Sequence, residues 1–243
     1  MAEWFAGFKS DFITCFITKN RWKYLTTGLG NTLVITLMAL LLGVVIGVVV
    51  AVVRSTYDKN HEEMRPGLGR AALSIVNCIA KIYLTVIRGT PVVVQLMIIY
   101  YVIFASSNNG VMIAALAFGI NSGAYVAEIV RSGIMSIEPG QMEAGRSLGL
   151  SYGTTMRSVI IPQAFKNILP ALGNETITLL KETSIVTVIG LKDLTKGAMI
   201  IQGNTFQALV PFFAIAVIYL AMVMILTFIF NRIERRLRES DHR

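Results

Sequence analysis

Glu138-Pro139-Gly140-Gln141-Met142-Glu143-Ala144-Gly145-Arg146-Ser147-Leu148-Gly149-Leu150 is a polar, glycine-punctuated stretch set between strongly apolar segments. Pro139 suits the first turn of a helix, where its missing N–H costs little. Gly149 suits the left-handed residue that ends one. A helix over about 138–149 puts Met142, Gly145 and Gly149 on one face and Ala144 and Leu148 on an adjacent one. So short a helix cannot cross a bilayer. Its small-residue face suits close docking against another protein.

Outward from this stretch the chain is apolar. Hydrophobic residues make up 54% and charged residues 15%, and the mean hydropathy is +0.65, outside the range of soluble domains. The net charge of +8 lies beside apolar runs. There it acts as a topology signal and a contact for lipid headgroups, not as a nucleic-acid footprint. An all-α polytopic membrane protein follows. The sequence has no Gly-x-x-x-x-Gly-Lys-Ser/Thr phosphate loop, so no ATPase site is expected on this chain. Cys15 and Cys78 are far apart and outside any metal-ligand spacing, so neither a metal nor a catalytic cofactor is expected.

The apolar runs predict five spans, at about 25–53, 83–105, 111–134, 165–189 and 208–230, within one membrane domain over 25–243. Residues 71–87 are expected to be a partly embedded helix leading to a break at Arg88-Gly89-Thr90-Pro91. Pro162 and Pro170 predict a kinked or broken fourth span. Residues 190–207 read as a mixed loop. Residues 1–24, with Trp4, Phe5, Phe8, Phe12, Phe16 and Trp22 at near-helical spacing, read as an interfacial amphipathic helix. Between Arg54 and Arg88 the basic residues outnumber Asp58, Glu62 and Glu63. With Arg232, Arg235, Arg236 and Arg238 they place that segment and the C-terminus in the cytoplasm, and five spans then put the N-terminus outside, against the basic excess of the N-terminal tail.

Polar residues within the spans are the candidate functional groups, because a charge in lipid is costly unless it faces protein or water. Glu175 and Glu182 lie seven residues apart, so they share a helix stripe, with Asn174 and Ser184 close by. They are the leading candidates for holding the cationic part of a substrate. A rival reading pairs Glu182 with another charge and leaves Glu175 alone. Glu128 stands three residues before Arg131, which reads as an ion pair or as a substrate contact beside Tyr125. Asn31 adds a polar edge to the first span. Arg88 reads as a snorkelling anchor or a gate, and Pro91, Pro162 and Pro170 as hinges. Gly43 and Gly47, and Gly119, Gly123 and Ala127, form small-residue packing seams.

Glu143-Ala144-Gly145, three residues, Gly149, nine residues and Val159-Ile160-Ile161-Pro162 resemble the EAA coupling motif of type I ABC importer permeases. The chain departs from that pattern at Gly145, Val159 and Ile161, each swap keeping small or aliphatic character. Arg88-Gly89-Thr90-Pro91 and Ser122-Gly123-Ala124-Tyr125-Val126-Ala127-Glu128-Ile129-Val130-Arg131 resemble the polar amino acid uptake branch, the histidine, arginine and glutamine permeases.

The resemblance implies a five-helix permease fold in a bacterial cytoplasmic (inner) membrane. It implies ATP and Mg bound on two separate ATPase subunits, which meet Glu143, Ala144, Gly145, Leu148 and Gly149. It further implies a second permease chain, the same or related, an extracytoplasmic substrate-binding protein, and a polar amino acid, basic ones included, as substrate. Two other classes compete with this reading. An intramembrane enzyme would need a nucleophile–base pair or metal cluster at membrane depth. A non-transporting assembly or sensor subunit would have no use for carboxylates there.

Overall fold

The computed structural model describes residues 2–61 and 64–239. Glu62, Glu63 and the side chains of Trp4, Phe5 and Arg238 lie outside what is described. Every regular element among the described residues is helical. They are α1 Ala2–Phe12, α2 Trp22–Asn60, α3 Leu68–Gly89, α4 Val92–Ile98, α5 Gly110–Met135, α6 Pro139–Ser147, α7 Tyr152–Thr155, α8 Ile161–Glu182, α9 Leu194–Thr205 and α10 Leu209–Glu239. Short π or 3-10 turns extend several of them.

Four of these helices, α2, α3, α5 and α10, are long and apolar enough to cross a membrane. Three of them, α2, α3 and α10, carry long rows of exposed large apolar side chains. Leu37, Leu41, Val45 and Val52 line one side of α2, and Phe213, Leu220, Met224 and Phe228 stand out from α10. Such rows suit lipid rather than water. In contrast, α5 is mostly buried and built from small residues. Helix α8 is too polar to qualify by composition, with Lys166, Asn167, Asn174, Glu175, Lys181 and Glu182 along its length.

The second apolar region breaks where the sequence predicts, at Arg88-Gly89-Thr90-Pro91. No single helix covers 83–105. Helix α3 runs to Gly89, Thr90 turns to extended backbone (φ −122°, ψ 147°), and α4 starts after Pro91. The proline lacks the N–H a continuous helix needs and bars Thr90 from helical geometry. Pro170, by contrast, does not break its helix, since α8 continues from Ile161 to Glu182. The irregularity falls upstream, in a π turn at Met156–Ile160 just before Pro162. Widening the ladder there is one way to absorb a residue that cannot donate.

The chain packs as two compact units. The first comprises 1–39, 93–118 and 177–226. Its core gathers Cys15, Phe16, Leu25, Leu194, Ala198, Ile201, Val210 and Ile215. The N-terminal segment is therefore packed into protein through Cys15 and Phe16, although Phe12, Ile13, Ile17 and Trp22 stay exposed.

The expected loop at 190–207 is instead largely α9. Fully buried Asp193 caps it, accepting from the Thr195 and Lys196 N–H groups (both 2.9 Å) and from the Thr187 hydroxyl (3.0 Å). Aspartate at this position satisfies N–H groups that a helix start leaves unpaired. Asp193 followed by Leu194 was the available sequence signal. Asn31 also has a structural place here, its amide donating to the Lys192 carbonyl at 2.8 Å.

The second unit comprises 40–92, 119–176 and 227–243. In it the two glycine seams mate. Gly43 lies against Ser122 and Gly47 against Val126, while Gly119 meets Leu42 and Gly123 meets Ile46. Small residues on both helices let the α2 and α5 backbones approach closely, as membrane helices need when no hydrophobic effect drives them together.

Candidate functional site

The short helix α6 begins with Pro139 at its first turn. It ends in a complete Schellman closure. The Leu150 N–H donates to the Gly145 carbonyl (3.0 Å) and the Gly149 N–H to the Arg146 carbonyl (2.9 Å). Gly149 takes φ +80°, the left-handed conformation this closure requires. Glu143, Ala144 and Leu148 face outward, Leu148 being 82% exposed.

Gly145 does not. It is buried, and a Cβ there would stand 2.5 Å from Thr155 Cγ2. The sequence expectation placed Gly145 on a surface for a partner, whereas the structure spends it on packing α6 against α7. A glycine needed for close approach gives the same pattern whether its neighbour is its own chain or another, so the sequence could not distinguish them.

A second site lies where α3, α5 and α8 meet within the second unit. A cavity of about 510 Å³ is lined by Arg88, Tyr125, Glu128, Ser132, Ser136, Asn167 and Glu175, among others. Ser122 donates to Glu175 Oε1 at 2.7 Å. Arg88 lies with its guanidinium 5.6 Å from the Tyr125 ring centroid and 3.6 Å from Glu128 Oε2. A guanidinium over a tyrosine face beside a carboxylate is a cation–π and ion-pair arrangement. It is not the geometry of a lipid-anchoring side chain.

The expected Glu128–Arg131 pair forms at 3.2 Å, and Arg131 also holds Asp58 of α2 at 2.8 Å. The chain of charges thus runs Asp58, Arg131, Glu128, Arg88. Of these charges only Glu128 and Arg88 line the cavity together with Glu175, so formally two acids face one guanidinium group. The cavity therefore offers both signs, with a small excess of acid.

Glu182 is not among the lining residues. Sharing a stripe did not mean sharing a pocket, because two helical turns carry Glu182 about 10 Å further along the axis. Asn174 is exposed on α8 and also lines no part of the cavity, and Ser184 donates to the Lys181 carbonyl at 2.8 Å. Pro91, Pro162 and Pro170 all lie outside the cavity wall.

Sequence reasoning missed Ser122, Ser132, Ser136 and Asn167. A signal for them exists. Ser122, Tyr125, Ile129, Ser132 and Ser136 recur at three- and four-residue steps on α5, as Asn167, Ala171 and Glu175 do on α8.

Residues 68–239 match the family described as the binding-protein-dependent transport system inner membrane component. The chain belongs to this family. Its members are permease subunits of ABC transporters, components of transporters that work with ATPase and substrate-binding partners.

This permease is 46% identical over 166 residues to the arginine transport system permease protein ArtQ of Bacillus subtilis (strain 168), covering 67% of this chain and 76% of that protein. It is 46% identical over 169 residues to the glutamine transport system permease protein GlnP of Escherichia coli (strain K12), covering 68% and 77%. Among solved structures it resembles an amino acid ABC transporter crystallised with histidines, with 41% identity, a TM-score of 0.77 and coverage of 91% of this chain and 98% of that one. An inward-facing MetNI methionine ABC transporter shares the fold at 22% identity, a TM-score of 0.71 and coverage of 88% and 95%. The type I importer fold expected from the EAA stretch is therefore present, and an intramembrane enzyme is set aside.

Proposed function

We propose that this chain is the permease subunit of an ATP-driven importer of polar amino acids, and that the cavity between α3, α5 and α8 receives the substrate. The observation that carries the reading is that Arg88, Glu128 and Glu175 line one cavity. An amino acid brings a carboxylate and an ammonium group. Arg88 suits the first as a planar donor, and Glu175 suits the second as an acceptor held by Ser122. The formal acid excess favours an additional positive charge on the side chain. The named substrates of the relatives, arginine and glutamine, and the histidines of the solved transporter are consistent with this class.

The assembly follows the same reading. Two ATPase subunits hydrolyse ATP with Mg and grip the outer face of α6 through Glu143, Ala144 and Leu148. Two permease chains, identical or related, flank the pathway, and a binding protein delivers the amino acid from outside. The chain crosses the bacterial inner membrane five times, with α8 as the fourth span and the C-terminus in the cytoplasm.

The experiment is uptake by the reconstituted complex across a panel of amino acids. Glu175→Gln keeps the side-chain shape but removes the charge. It is expected to raise the half-saturation about tenfold or more, as befits a lost hydrogen bond to a charged group, with ATPase association intact. Unchanged affinity and selectivity would move the substrate site elsewhere. The topology has its own check. Single cysteines at 57, 143 and 235 are expected to react only from the cytoplasmic side, and one at 108 only from outside. Outside labelling at 143 would overturn the orientation and with it the ATPase contact.

A further inference from the structure

We infer that the hydrogen bond between Ser136 and Asn167 is an inner latch, through which movement of α6 opens the substrate cavity toward the cytoplasm. The inference rests on the proposed substrate cavity and adds a device to it. Asn167 Nδ2 donates to Ser136 Oγ at 2.9 Å, and that hydroxyl donates to the Gly133 carbonyl at 2.8 Å. Asn167 lines two cavities at once. One is the 510 Å³ cavity holding Arg88 and Glu175. The other, about 480 Å³, is lined by Lys166, Gln163 and Glu234, polar groups able to pass a zwitterion onward. Asn167 is therefore the wall shared by both, and Ser136 is what holds it in place.

The position of Ser136 gives the latch its control. It begins the three-residue link Ser136-Ile137-Glu138, which is not helical and leads directly into α6. Ile137 lines the second cavity and also a third, about 330 Å³, whose other walls include Glu138, Met142, Glu143 and Arg146 of the α6 region.

On its other side the latch is anchored. Gly133 lies so close to Ile168 that a Cβ there would clash, so α5 and α8 are tightly packed at this point. Ile134, Ala164 and Ile168 pack around that contact. A push on α6 must then be taken up by the link, where a few non-helical residues absorb changes in φ and ψ. Ser136 moves with the link while Asn167 stays on rigid α8. The bond between them is neutral and exposed, weak enough to break and remake in every cycle.

The test uses the complete complex with its ATPase and binding-protein partners, and radiolabelled arginine and glutamine as probes. Ser136→Ala and Asn167→Ala are each expected to raise ATP turnover in the absence of substrate about three- to tenfold, the range a lost neutral hydrogen bond supports. The number of ATP consumed per amino acid rises with it. Ser136→Thr, which keeps the hydroxyl, restores most of the coupling. Wild-type coupling in both alanine variants would overturn the latch. So would a parallel fall in uptake and ATP turnover, the mark of a bond that merely supports the fold. Failure of the substrate reading shows separately, in the half-saturation of Glu175→Gln, and leaves the coupling ratio of the latch variants unaffected.

Discussion

Gly47→Leu is expected to abolish the folded permease, and Gly47→Ala to destabilise it by about 3 kcal/mol, the upper part of the usual cost of overpacking. A Cβ at residue 47 would stand 2.5 Å from Val126 Cγ1 and 2.9 Å from the Ala127 backbone nitrogen. The first neighbour is β-branched and the second is main chain, so neither can swing aside. Relief requires α2 to move away from α5, which opens the seam at Gly43, Gly119 and Gly123 as well. Gly30→Ala provides the control, because a Cβ there meets nothing within 4 Å, and alanine is about 1 kcal/mol better than glycine inside a helix. Thermal unfolding of the detergent-purified permease reads both. Equal midpoints for Gly47→Ala and Gly30→Ala would refute the close-contact account.

The second large effect separates inward from outward residues on α6. Gly145→Trp is expected to stop uptake, at least a hundredfold below wild type by the scale of a misplaced working element. Its indole cannot fit where Thr155 already touches the backbone, so α6 leaves its seat on α7 and the thermal midpoint falls. Leu148→Asp is expected to lose co-purification with the ATPase subunit while keeping the wild-type midpoint, because its side chain is 82% exposed and supports little within this chain. A Leu148→Asp variant that still holds stoichiometric ATPase would remove this residue from the docking face. Comparing the two assigns the motif glycine to internal packing and the exposed leucine to the partner.

Much of the architecture was legible in the sequence because membrane helices advertise themselves through charge-free length and small-residue seams. Pro139 and Gly149 also fixed α6 closely, since each answers to a local backbone rule. The failures were of a different kind. Helix α3, with Arg70, Lys81 and Arg88, was expected only as a partly embedded helix, although one stripe of it, Ile75, Ile79, Ile82 and Val86, is exposed and apolar. Helix α9 was hidden because Gly197 and Gly203 lower helix propensity, a preference that burial of Leu194, Ala198 and Ile201 overrides. At the site, Glu175 was found by its charge. Its partners could be found only by following the α5 and α8 stripes to where they meet, and serines at helical spacing attract no notice until a third helix lies opposite them.

The polarity of α8 has a consequence for how the protein is made. On the five-span topology proposed above, this helix enters the bilayer with Lys166, Glu175, Lys181 and Glu182 on it. Each charge near the centre of a segment costs about 2.5–3.5 kcal/mol during insertion from the translocon. Such a segment cannot partition into lipid on its own merits. Ser122, already installed with α5, supplies a hydroxyl for Glu175, and the small residues of the same helix give α8 a surface to lie on. Biogenesis then has an order built into it. The earlier helices must wait beside the translocon as a receptor for the later one, and a nascent chain whose α5 is damaged would leave α8 stranded in water.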